Sequence, residues 1–142
     1  MNRITPWTIE REAPVSEETE SIFSVGNGVL GIRGFSLQAP KQRPYDHAIF
    51  HAGLYEEIRP GITDLVQLPD VLGIRIEGAE EGQIHHTLNL QTGVYTQSWS
   101  EDGLTVETAR MPSMADTQCV CLRLNVHSDK ERTLHITDIW ED

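Results

Sequence analysis

The feature that most constrains this chain is a hydrophobic period of two in its second half. Between Thr117 and His127, Val120, Leu122, Leu124 and Val126 fall on one side of an extended backbone, and Cys119, Cys121, Arg123, Asn125 and His127 fall on the other. A helix would scatter those residues around its axis, whereas a strand separates them into a buried and an open face. Ser128 to Glu131 supplies turn chemistry, after which Leu134 and Ile136 resume the alternation towards Trp140. Upstream, Val94 to Trp99 and Leu104 to Ala109 flank Glu101-Asp102-Gly103, a hairpin turn ending in Asp-Gly. Val71 to Glu77 and Ile84 to Leu90 flank Gly78 to Gly82 in the same way. Short strands at intervals of about 10 residues predict an all-β fold, an antiparallel β-sandwich with at most short helices.

The first third reads differently. Ser16 to Phe23 is the best helix candidate, with Ser16 as N-cap and acids in its first turn. Gly26, Gly28, Gly31 and Gly34 then break any regular helix. Pro40, Pro44, Pro60 and Pro69 punctuate the next stretch, with Ala48 to Leu54 as one strand between them. No internal repeat, low-complexity tract or linker divides the 142 residues, the length of one ordinary domain. The last apolar strand runs to Trp140 and the chain stops at Asp142, so a single partial domain is expected over 1–142.

Charge and sequence texture narrow the partners. The net charge of −11 comes from 10 acids against 6 bases in Met1–Val71 and 12 against 5 in Leu72–Asp142, so it is spread over the surface. Such a field repels phosphate backbones and anionic lipid, which argues against nucleic acid and membrane surfaces as partners. No run approaches the roughly 18 apolar residues of a membrane span, and Met1 to Glu12 has no apolar signal core. A cytoplasmic location is the expectation. Cys119 and Cys121 share one face of a strand, where a disulfide would be strained and two thiols cannot complete a four-ligand metal site.

Motifs with the outward form of a chemical site mostly dissolve on inspection. Gly26-Asn27-Gly28-Val29-Leu30-Gly31 matches G-x-G-x-x-G, but Gly31 and Gly34 fall inside the helix that dinucleotide binding needs, and no βαβ unit surrounds it. The structural reading is that Asn27-Gly28 supplies positive-φ positions for a tight turn while Gly31 and Gly34 permit close backbone packing. His47 and His51 have zincin spacing without the glutamate, and on a strand they lie roughly 13 Å apart. His85 and His86 point to opposite faces. No nucleophile elbow is present, and paired carboxylates for glycoside chemistry meet only in a fold. None of these motifs by itself marks a catalytic, substrate-binding or metal-ligating residue.

One segment carries identity. Glu20-Ser21-Ile22-Phe23-Ser24-Val25-Gly26-Asn27-Gly28-Val29-Leu30-Gly31-Ile32-Arg33-Gly34 resembles the opening signature of glycoside hydrolase family 65, E-S/T-x-F-S-x-G-N-G-x-x-G-x-R-G, which comes after a Trp-led strand such as that at Trp7. Tyr45 to Tyr55 with Ala52-Gly53 is similar to the family's G-x-Y-x-A-G-x-Y region. Leu65 to Asp70 is similar to L-V-N-L-P-N, Leu88 to Gly93 to L-D-x-x-x-G, and Arg110 to Asp116 to R-F-x-S-M-A-D. Asn89, Gln67 and Met111-Pro112 depart from the usual residues and bear on which activity the parent protein has.

The resemblance implies a part of a larger enzyme. In that family, which contains maltose, trehalose, kojibiose and nigerose phosphorylases and related α-glucosidases, the N-terminal region is a galactose-mutarotase-like β-supersandwich about twice this length. A helical linker and an (α/α)6 barrel come next, and the barrel carries the general-acid glutamate and the phosphate site. The implied parent reaction is inverting: an acid protonates the glycosidic oxygen while phosphate or activated water attacks the opposite face. The implied partner is the chain's own downstream barrel, with inorganic phosphate as co-substrate and no metal or organic cofactor. Arg33 is expected to spend its donor fork on backbone carbonyls or a carboxylate within the domain, the alternative being that Arg33 or Asn27 faces the barrel's sugar site. An uncovered apolar sheet face predicts a homo-oligomer. The competing reading is a free-standing carbohydrate-binding or assembly module, with Trp7, Trp99 and Trp140 as stacking faces.

Overall fold

A computed structural model describes residues 3–38 and 47–138. Pro40, Pro44, Tyr45, Trp140 and Asp142, which the sequence reading used, lie outside the described residues. The strands are β1 (Arg3–Thr5), β2 (Thr8–Ala13), β3 (Val25–Gly26), β4 (Leu30–Ile32), β5 (Ile49–Arg59), β6 (Ile62–Leu68), β7 (Ile74–Ile76), β8 (Ile84–Asn89), β9 (Val94–Glu101), β10 (Leu104–Pro112), β11 (Val120–Ser128) and β12 (Ile136–Asp138). One helix, α1 (Glu17–Ile22), interrupts them. Six strands form an antiparallel sheet in the order β1-β2-β8-β9-β10-β11, against which lie a four-stranded sheet β3-β4-β5-β6 and a pair β12-β7. The fold is the expected all-β sandwich.

The alternation seen in the sequence becomes alternation in burial. In β8, Ile84, His86 and Leu88 point inward, and in β9 Tyr95, Gln97 and Trp99 do. The β9–β10 hairpin closes with two residues, Asp102 at φ 45° and Gly103 at φ 72°, both in the left-handed region that a tight hairpin demands. Val120, Leu122 and Leu124 of β11 turn inward but stay half-buried, because nothing described covers the end of that strand.

The structure departs from the sequence expectation in three places. Only Ile74–Ile76 of the expected Val71–Glu77 strand pairs, with β12, because the Asp70 carboxylate accepts from the Leu72 amide at 2.9 Å and shapes a turn there. The Ala48–Leu54 strand continues to Arg59 through a bulge at Gly53 (φ 83°) and pairs with β6, which the periodicity does not single out. Beyond Ala52 this ribbon is exposed on both faces up to Thr63, so burial leaves no alternating imprint there.

The helix and the glycine-rich segment interlock. Ser16 caps α1 through a reciprocal box with Thr19: its hydroxyl accepts from the Thr19 amide at 3.3 Å, and the Thr19 hydroxyl accepts from the Ser16 amide at 2.7 Å. The Gly34 amide donates to the Glu20 carbonyl at 2.8 Å, pressing Gly34 onto Phe23. A Cβ on Gly34 would sit 2.7 Å from the Phe23 Cβ, whereas one on Gly31 would meet nothing within 4 Å. Close packing therefore explains Gly34 and not Gly31, and Gly28 (φ 88°) is the positive-φ residue of the turn while Asn27 is not. Gly34→Ala should cost about 1–3 kcal/mol and Gly31→Ala less than about 0.5 kcal/mol in urea unfolding. Equal losses would contradict this assignment.

Candidate functional site

The glycine-rich segment is organised by one amide. Asn27 Oδ1 accepts from the Val29 and Leu30 amides at 2.9 and 2.8 Å, closing the turn on its own backbone. Its Nδ2 donates to the Ser113 and Thr117 carbonyls at 2.6 and 3.1 Å, so the same side chain ties β3–β4 to the loop between β10 and β11. Two motifs distant in sequence, around Asn27 and around Ser113 to Asp116, meet in one clamp. Arg33 does what its fork predicts: Nε lies 3.3 Å from the buried Glu20 carboxylate, and Nη2 donates to the Glu17 carbonyl and the Ser21 hydroxyl. Both residues serve the domain's own architecture.

A second group of polar residues lies in the core. The register aligns Arg11, His86, Gln97, Thr108 and Leu124 in one row across the inner face of the large sheet. His86, Gln97 and Thr108 are almost fully buried. This row separates two apolar clusters, one around Phe23, Ile32, Phe35 and Tyr95, the other around Ile76, Ile84, Trp99 and Val106. His86 Nε2 faces the Ala13 carbonyl at 3.0 Å, which only accepts, so Nε2 carries the proton and Nδ1 accepts from the Tyr95 hydroxyl at 2.6 Å. Burial, opposed by the Ala13 bond, holds this imidazole below its ordinary value of 6.5. Burial likewise holds the Tyr95 phenol well above its usual range.

In the adjacent row Arg110 stands opposite Tyr95 and is buried as completely. Its guanidinium carbon sits 4.5 Å from the Phe35 ring centroid and 4.8 Å from that of Tyr95. Nη2 donates to the Phe35 carbonyl and to Gln97 Oε1. Behind Phe35, at 4.7 Å between centroids, stacks His47, whose Nδ1 is 2.9 Å from Asp70 Oδ2. Ser36 donates to Glu81 Oε2, and burial raises the Glu81 carboxyl against the lowering pull of Ser36, Arg110 and His47. Glu81 also lines a cleft of about 420 Å³ with Gln38, Arg75, Glu77 and Glu80.

The structure places the remaining candidates apart. His47 belongs to the core, while His51 turns to the Ala52 carbonyl at 2.8 Å. His85 sits on the open face near Glu12, opposite in direction to His86. Among the described residues no three His, Cys, Asp or Glu side chains group as a metal site. Cys119 and Cys121 are exposed free thiols, and the Asp116 carboxylate that accepts from Cys119 raises that thiol. Trp99 is core, whereas Trp7 is 56% exposed at the β1–β2 turn. The sequence does not single out His86, Gln97 and Arg110 as a buried set; for His86 and Gln97 the signal is inward parity on the expected strands Ile84–Leu90 and Val94–Trp99, while Arg110 lies just past the expected Leu104–Ala109 strand, which β10 extends to Pro112.

The polar groups described above are spent on the packing of a β-sandwich domain. The profile of the "Glycosyl hydrolase family 65, N-terminal domain" matches residues 10–141, and the chain belongs to that family. A nigerose phosphorylase of Lachnoclostridium phytofermentans is 32% identical over 120 residues, covering 75% of this chain and 16% of that relative. A solved structure from the human microbiome, assigned as a kojibiose phosphorylase, superposes with a TM-score of 0.68 at 20% identity over 90% of this chain and 20% of that one. The latter likeness establishes the fold. The chain thus spans about one-sixth to one-fifth of the length of these proteins.

If Asn27 is the clamp, Asn27→Asp should cost about 1–3 kcal/mol, because it keeps both acceptor bonds but sets a carboxylate against two carbonyls. The deficit should narrow below about pH 4, where protonation restores a donor. Denaturant titrations at both pH values check this, and a variant as stable as the parent at neutral pH would refute the clamp.

Proposed function

We propose that this chain is the N-terminal, non-catalytic portion of a carbohydrate-active enzyme that cleaves α-glucosidic disaccharides by inverting phosphorolysis or hydrolysis. The observation that carries the proposal is the family match over residues 10–141 in a chain covering only 16% of its phosphorylase relative. On this reading the chain is one partial domain, and its partner is the parent's own downstream (α/α)6 barrel. That barrel supplies the acid and takes inorganic phosphate as co-substrate, without metal or organic cofactor. Location in the cytoplasm fits a phosphate-consuming reaction. The half-covered β11 row and the exposed Leu54, Tyr55, Ile58 and Ile62 of the β5–β6 ribbon support self-association of the isolated chain.

The second reading, a carbohydrate-binding module, draws on the exposed indole of Trp7 alone. Incubating the chain with nigerose, kojibiose, maltose and trehalose, with and without phosphate, should release neither glucose nor β-glucose 1-phosphate, while sedimentation shows dimers or larger species. Turnover by the chain alone would overturn the scaffold assignment, and a strictly monomeric profile would overturn self-association.

A further inference from the structure

Asn27 is the one asparagine of this chain that precedes a glycine; Asn2, Asn89 and Asn125 precede Arg3, Leu90 and Val126. An Asn-Gly step carries its own chemistry. The glycine's backbone nitrogen attacks the asparagine's side-chain carbonyl carbon, and without a Cβ it meets the least steric opposition. The new N–C bond closes a five-membered imide, the bond from that carbon to the side-chain nitrogen breaks, and ammonia departs with the glycine's amide proton. Water then opens the imide at either carbonyl, leaving aspartate or isoaspartate.

Gly28 is exposed in the β3–β4 turn, where a Cβ would meet nothing within 4 Å, so burial does not keep water or base from this step. Hydrogen bonds do. Closing the imide requires Cγ of Asn27 to rotate onto the Gly28 nitrogen and Nδ2 to leave. Nδ2 is held by the Ser113 and Thr117 carbonyls, and Oδ1 by the Val29 and Leu30 amides. The Asn27 amide also donates to the Leu30 carbonyl at 3.1 Å, which fixes the backbone of the turn. We propose that Asn27-Gly28 is a latent deamidation site, shut by this clamp in the folded domain and open once the turn releases the loop between β10 and β11. The lesion then bars the way back. Aspartate sets a carboxylate against two carbonyls, and isoaspartate lengthens the backbone of the turn by one methylene. Prolonged unfolding thereby becomes chemically irreversible.

The test incubates the full chain in mildly alkaline buffer with and without urea and follows peptide masses, released ammonia and isoaspartate over time. The expected result in urea is exchange of NH2 for OH in the peptide holding Asn27, at a rate that the native sample lags by more than about tenfold. Asp102-Gly103 forms the same imide by losing water, but its products keep the parent mass and are not confused with deamidation. Recovery of folded protein after removal of urea should fall in step with the deamidated fraction. Gly28→Ala, compared in urea where folding plays no part, should slow the exchange several-fold. Equal rates with and without urea would refute the clamp as the shutter. An Asn27 that keeps its amide throughout in urea would refute the site itself, and deamidated chain that refolds as completely as the parent would refute the barrier to return.

Discussion

A guanidinium held between two aromatic rings in the centre of the sandwich is the constraint on which the rest of this structure depends. Arg110 cannot be moved to the surface without emptying the space between Phe35 and Tyr95, and it cannot stay inside without the Phe35 carbonyl and Gln97. Those two demands fix the segment after β4 against β10. They also explain why Gly34, immediately before Phe35, lies so close to Phe23 that no Cβ fits. Packing of the helix, the glycine-rich segment and the large sheet is thus one arrangement and not three.

The neighbouring polar row has a comparable consequence. His86, Gln97 and Thr108 stand where apolar side chains would otherwise join the two clusters. Every buried polar atom demands a partner in a definite direction, so a row of them specifies register across β8, β9 and β10 more sharply than greasy contacts do.

Much of this was legible beforehand, for identifiable reasons. Hairpins such as Val94–Trp99 with Leu104–Ala109 announce themselves because half-burial imposes alternation and Asp102-Gly103 imposes a turn. Ser16 announces the helix by capping chemistry. The outer part of the β5–β6 ribbon is hidden in the sequence because from Ala52 to Thr63 it buries neither face, so no period is imposed on it. Arg110 was hidden for a different reason: an arginine on a strand reads as solvent-facing unless its parity is compared with Tyr95 across the register. The scaffold roles of Asn27 and Arg33 were anticipated, but the reach of Asn27 to Ser113 and Thr117 was not, since contacts spanning 86 and 90 residues have no local signature.

Native-state hydrogen exchange tests the central claim most directly. If Arg110 ties the segment after β4 to the large sheet, amides beside Phe35 and amides of β10 beside Arg110 should open with one shared free energy. Arg110→Lys keeps the charge but loses the planar fork and its stacking, and it should lower both sets by the same amount. A loss confined to β10, with protection beside Phe35 unchanged, would contradict the account.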